Sequence, residues 1–258
     1  SGYIPTLIPC IRSLARFTPI EGYDIYLLHS DLSQKDQQKL MQPFAGQEIR
    51  FHFCSIDGSI FEGLPETDRY PKQIYYRILA ARFLPDTLDR ILYLDGDIVV
   101  INSLEELYRT DFEDNYYVAC THVNDLLNKI NMIRLAIEEE VPYINTGVLL
   151  INLEKLRKEQ DPHAVFAYAQ KHKFAFILPD QDIITALYGK KIKLIPYEKY
   201  NLSDRMLTWH NADLRNDKID LNWIRKNTVI IHYCGRQKPW KENYRGILDV
   251  FYQEIPQA

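Results

Sequence analysis

Apolar and polar positions follow two rhythms along this chain. Over residues 3–17 the apolar side chains Ile4, Leu7, Ile8, Ile11 and Leu14 fall three and four apart, which predicts a helix with one buried face. Pro5 suits its first turn, and Pro9 marks a kink. Residues 23–28 form a short apolar run and residues 49–53 alternate, so both predict strands. Between them, Ser33 and Asp36 have the spacing of a capping box that opens a polar surface helix. An amphipathic helix is expected over 74–84, stopped by Pro85, and it leads into the apolar run 91–94. A short capped helix is expected at Ser103-Leu104-Glu105-Glu106, and a strand over 116–120. Residues 125–140 predict a helix whose acidic end, Glu138-Glu139-Glu140, opposes the macrodipole. A strand over 147–151 follows, and Asp161-Pro162 then opens a helix. Residues 180–187 predict a helix closed by Gly189, and the last strands are 192–195 and 229–232.

Strands alternating with helices predict an α/β fold, a mostly parallel Rossmann-like sheet with helices on both faces. Residues 201–218 are polar and weakly periodic, so they are expected as a loop-rich, acceptor-side region. No repeat, low-complexity tract or linker interrupts the pattern, which favours a single domain over 1–258.

Composition narrows the class. With 46% hydrophobic and 26% charged residues among 258, the chain has the make-up of an ordinary globular protein with a substantial core. A formal net charge of −4 argues against nucleic acid as a partner, yet leaves room for a locally basic pocket around a phosphate. Cys10, Cys54, Cys120 and Cys234 are scattered without metal-type spacing, as expected of core thiols in a reducing cytoplasm. No apolar run approaches a membrane span and no leader precedes the first helix, so membrane contact is expected to be peripheral at most.

Two segments carry candidate chemistry. The run 91–94 ends in Asp95-Gly96-Asp97, where an extended backbone would send both carboxylates to one side, about 6–7 Å apart. Either both ligate one cation, or one ligates and the other meets a ligand. Gly96, without a Cβ, permits close approach. Such a pair at a strand end lies where open α/β sheets bind ligands. Alone it is a common coincidence. Far downstream, the last strand ends in His232-Tyr233-Cys234-Gly235-Arg236-Gln237-Lys238-Pro239-Trp240. There His232 offers a ring nitrogen to a metal, Gly235 a tight turn and Lys238 a compact charge for phosphate oxygens.

Asp95-Gly96-Asp97, together with His232-Tyr233-Cys234-Gly235 and Lys238-Pro239-Trp240, resembles glycosyltransferase family 8, which includes bacterial lipopolysaccharide galactosyl- and glucosyltransferases and glycogenin. Tyr76-Arg77, the stretch 143–152 and Asp180-Gln181-Asp182 look the same way and run in the family's order. The resemblance implies a single-domain GT-A fold and transfer of galactose or glucose from a UDP-sugar, with retention of configuration, to a saccharide or glycoconjugate acceptor. It implies Mn²⁺, with Mg²⁺ as a substitute, on Asp95, Asp97 and His232. That donor set also suits a first-row divalent ion on chemical grounds. Gly96, Gly235 and Lys238 match residues around the diphosphate. Tyr3, Arg77, Asn145, Thr146, Gly147, Asp180 and Gln181 match donor-side positions, with Asp180 and Gln181 as the candidate catalytic pair. Residues two apart on a helix point about 200° away from each other, so Asp182 is expected to serve the helix dipole instead. Gln181 is a poor nucleophile, which favours a front-face route over a double displacement.

The match departs from the family in three places. The family's first strand, central in its sheet, would precede residue 1, so that slot is expected to lack its usual occupant. Thr121-His122-Val123-Asn124-Asp125 stands where galactosyltransferase relatives often place an acid. The basic, aromatic C-terminal tail that attaches some relatives to membranes has no counterpart in the final residues. Two other functions fit less well: a non-catalytic nucleotide-sugar-binding module, and a Mg²⁺-dependent phosphohydrolase. The second would need a Gly-Thr-like turn where Ile98-Val99 stands.

Overall fold

The computed structural model describes residues 4–17, 22–66 and 71–256. Eight strands occur among them: β1 Tyr23–His29, β2 Ile49–Ser55, β3 Arg90–Leu94, β4 Ile98–Val100, β5 Tyr117–Thr121, β6 Ile144–Asn152, β7 Ile192–Leu194 and β8 Ile230–His232. The main sheet runs β3-β6-β5-β7, and β1-β2 and β4-β8 form two further pairs. β6 is its spine, with eight of its nine residues buried. Its successive side chains serve opposite faces, as a pleated strand requires. Leu149 and Ile151 pack with Ile183 and Ile184 of the helix Pro179–Tyr188, while Val148 packs with Ile98, Val100 and Ile230. One face is therefore covered by a helix and the other by the β4-β8 pair, and each fully buried aliphatic side chain contributes about 1.5–3 kcal/mol.

The α/β class stands, but strand direction is more mixed than expected. β1-β2 and β5-β7 are parallel, whereas β6 runs against both β3 and β5, and β4 against β8. An apolar run shows that both faces of a strand are covered, not which way its neighbours run. Three local expectations also change. Residues 74–84 divide into a 3-10 helix, Lys72–Arg77, and a short α-helix, Ala80–Phe83. The helix from Asp125 ends at Arg134, and Ala136 then takes a positive φ of 54°, leaving Glu138-Glu139-Glu140 outside. The polar stretch 201–218 contains a helix, Asp204–Ala212, capped by the Ser203 side chain accepting from the Met206 N–H. Its weak periodicity reflects the shortness of its buried face, Met206 and Leu207.

β1 and β3 are set apart from the buried strands. Among the described residues β1 pairs with β2 only and β3 with β6 only. Ile25 and Leu27 of β1, and Leu92 and Leu94 of β3, are apolar yet only half-buried. All four line one cavity of about 1650 Å³. No described helix is long and apolar enough to cross a membrane.

Candidate active site

The Asp95-Gly96-Asp97 turn joins β3 to β4. β4 pairs antiparallel with β8, placing Ile98 opposite His232, and the Tyr233 N–H donates to Asp97 O at 2.9 Å. This pairing delivers the imidazole to the two acids. His232 Nε2 lies 3.2 Å from Asp97 Oδ1 and 3.8 Å from Asp95 Oδ2. One ligand atom from each of the three residues falls within 4.8 Å of the others. The carboxylates converge from a turn at Gly96-Asp97 between β3 and β4, not from the extended backbone first expected. Two hard oxygens and an imidazole nitrogen around one point suit a divalent first-row cation.

Electrostatics tie the group together. Burial opposes the charged form of Asp97, but His232 and Lys238 outweigh it and hold the carboxyl well below the usual range. Burial likewise opposes the imidazolium of His232, yet Asp97 and its neighbours push the group up to about 9. Lys238 Nζ pairs with Asp97 Oδ2 and donates to Tyr233 O at 2.8 Å, while Gly235 turns the loop with φ +98°.

Close approach at Gly147 completes this wall. The Asp95 N–H donates to Gly147 O at 2.8 Å. A Cβ on Gly147 would stand 2.9 Å from both Asp95 Oδ2 and His232 Nδ1. At Gly96 the close neighbour is the first helix, Ile4–Phe17: a Cβ there would meet Leu7 Cδ2 at 3.2 Å and Thr6 Oγ1 at 3.4 Å.

On the opposite side Arg77 is largely shielded, with 12% of its side chain exposed, not a solvated helix residue. Its guanidinium pairs with Asp95 Oδ1 at 3.0 Å and Asp180 Oδ2 at 3.1 Å, and donates to Thr146 O at 3.0 Å. It also lies over the Tyr93 ring at 4.4 Å. The Tyr93 hydroxyl donates to Asp95 Oδ1 at 2.8 Å, and Thr146 Oγ1 donates to Asp180 Oδ2 at 2.6 Å. Gln181 follows in the first turn of Pro179–Tyr188, half-buried and facing the same cavity. Asp182 points elsewhere. Fully buried, it accepts from Arg134 Nη2 at 2.7 Å, Tyr143 Oη at 2.7 Å and the Ile177 N–H at 2.8 Å, which fixes the start of that helix.

Every described candidate residue lines the one cavity: Arg77, Asp95, Gly96, Asp97, Asn145, Thr146, Gly147, Asp180, Gln181, His232, Gly235 and Lys238. Tyr3 lies outside the described residues. Sequence reasoning missed Tyr93 and Asn201. The two-residue spacing of Tyr93 and Asp95 was a usable signal, whereas Asn201, in a weakly patterned stretch, offered none.

A sequence profile described as "Glycosyl transferase family 8" matches residues 1–244. A lipopolysaccharide 1,2-glucosyltransferase of Escherichia coli is 33% identical over 190 residues, covering 72% of this chain and 55% of that protein, so the chain spans about half of that relative's length. General stress protein A of Bacillus subtilis (strain 168) is 25% identical over 224 residues, covering 85% of this chain and 77% of that protein. Among solved structures, the galactosyltransferase LgtC, in complex with donor and acceptor sugar analogs, superposes with a TM-score of 0.80. At 24% identity, over 98% of this chain and 91% of that one, this likeness shows a shared fold.

Proposed function

This chain belongs to glycosyl transferase family 8, and on that premise we propose that it moves a hexose from a UDP-sugar to a saccharide or glycoconjugate acceptor with retention of configuration. The carrying observation is the convergence of Asp95, Asp97 and His232 on one point in a cavity that also holds Arg77, Asp180 and Gln181. Relatives named as lipopolysaccharide 1,2-glucosyltransferase and lipopolysaccharide 1,3-galactosyltransferase support glucose or galactose as the donor sugar and a lipopolysaccharide-type acceptor. The four free cysteines fit a reducing compartment such as the cytoplasm.

Mn²⁺, or Mg²⁺ in its place, would be held by Asp95, Asp97 and His232 and would supply Lewis-acid neutralisation of the departing diphosphate. Lys238, on the Gly235 turn beside Asp97, adds a cation for the same oxygens. Arg77 and Thr146 orient the Asp180 carboxylate, whose Oδ2 takes contacts from both, for the sugar hydroxyls. Asp180 is thus engaged by a cation, and Gln181 carries no charge, so neither is a free carboxylate nucleophile. A front-face exchange fits: the C1–O bond to UDP breaks, the C1–O bond to the acceptor forms, and the acceptor proton passes to a UDP phosphate oxygen. The test is a screen of UDP-sugars for Mn²⁺-dependent UDP release. Binding without turnover by any donor would reduce the protein to a nucleotide-sugar-binding module. A covalent glycosyl adduct on Asp180 or Gln181 would overturn the front-face route.

We propose a single glycosyltransferase domain over residues 1–258, in which the half-buried Ile25, Leu27, Leu92 and Leu94 line the same cavity as the site residues.

A further inference from the structure

Behind the metal-ligand group lies a buried chain of hydrogen bonds with one unambiguous end. The Gly147 backbone N–H only donates, and it meets Asn145 Oδ1 at 3.1 Å. The Asn145 atom in that position must therefore be the amide oxygen. The same oxygen lies 3.0 Å from the Asn201 side chain, which must present its NH₂ there. The other end of the Asn201 amide is then its oxygen, and it faces His232 Nδ1 at 2.9 Å. That contact requires a hydrogen on Nδ1, which leaves Nε2, the nitrogen facing Asp95 and Asp97, as the one with a lone pair for a cation. We propose that Asn201, held in register by Asn145 and the Gly147 backbone, is a positioning residue that fixes the metal-binding tautomer of His232. The inference rests on the metal assignment made above.

Asn201 is built for this task. It is fully buried, and all four of its hydrogen-bonding groups are used. Its N–H donates to Tyr197 O at 2.9 Å, and its carbonyl accepts from His122 Nε2 at 2.7 Å. Burial, with the neighbouring His232, keeps His122 uncharged by pushing it down to about 3, so this second ring adds no competing cation behind the first. The adjacent Leu202 bridges Ile231, and the His232 N–H donates to Leu202 O at 2.8 Å, locking Asn201 beside the imidazole. An amide turned over by 180° would set NH₂ against Nδ1 and oxygen against oxygen at Asn145. The relay therefore has one stable sense. Groups that orient a ligating histidine from behind typically matter 10–100-fold in metal affinity.

The test uses the whole chain with Mn²⁺ alone, titrated by calorimetry, and ¹⁵N NMR of the His232 ring followed with rising pH until its shifts stop changing. The parent ring is expected as the Nδ1–H tautomer. Asn201→Leu removes the acceptor and should weaken Mn²⁺ binding about 10–100-fold with the fold retained by circular dichroism. Folded Asn201→Leu with parental Mn²⁺ affinity, or an Nε2–H ring in the parent, overturns the relay. The NMR measurement decides even where Asn201→Leu fails to fold. No Mn²⁺ binding by the parent would instead overturn the metal assignment itself.

Discussion

His232 Nε2 stands 3.2 Å from Asp97 Oδ1, an ion pair that joins two strand ends about half the chain apart. Because Asp97 raises His232 to about 9, the ring of the metal-free protein is charged at neutral pH. A cation must displace that proton. Mn²⁺ affinity should therefore rise about tenfold per pH unit below about 9 and level off above it. Asp97 adds no slope there, its carboxyl being ionised throughout. Calorimetric titrations across that window check the claim, and a flat profile refutes it. Asp97→Asn should cut Mn²⁺-dependent UDP release about 100-fold or more.

Arg77 is the only described cation paired with both Asp95 and Asp180. Replacing it with Met leaves Asp180 without its ion-pair partner and removes the charge that links it to Asp95. The expected loss is about 3 kcal/mol, at the low end for a broken buried pair because Asp95 is partly exposed to solvent. Arg77→Lys keeps the charge but lacks the fork that reaches both acids, so its loss should be intermediate. Urea unfolding of the three proteins measures this. Equal midpoints would show that the bridge contributes nothing.

Gly147→Ala should separate folding from metal binding. The new methyl would crowd Asp95 Oδ2 and His232 Nδ1, both at 2.9 Å, forcing the ligands apart. We expect Mn²⁺ affinity to fall at least about tenfold while the circular dichroism spectrum is kept. Parental affinity in this variant would mean that the wall yields without cost.

The open edges of β1 and β3 predict uneven hydrogen exchange. Amides of β6, paired on both sides among the described residues, should exchange slowest, while those of β1 and β3 on the sides away from their single partners exchange fast. Equal protection in β1, β3 and β6 would refute this.

The sequence by itself determined the α/β class, most strand positions and the candidate residues that the fold then brings to one cavity. Apolar rhythm reports burial directly, and the Asp95-Gly96-Asp97 and His232 segments carry recognisable chemistry at strand ends. Only tertiary structure decided what those residues do to one another. β6 runs against its neighbours because pairing direction leaves no mark on a strand buried on both faces. Arg77 became a bridge because β3 and the Pro179–Tyr188 helix bring two acids to it from distant sequence. Asn201 was invisible for the same reason: its role comes from hydrogen bonds to Asn145 and His232, and no local pattern records partners that meet only when the chain has folded.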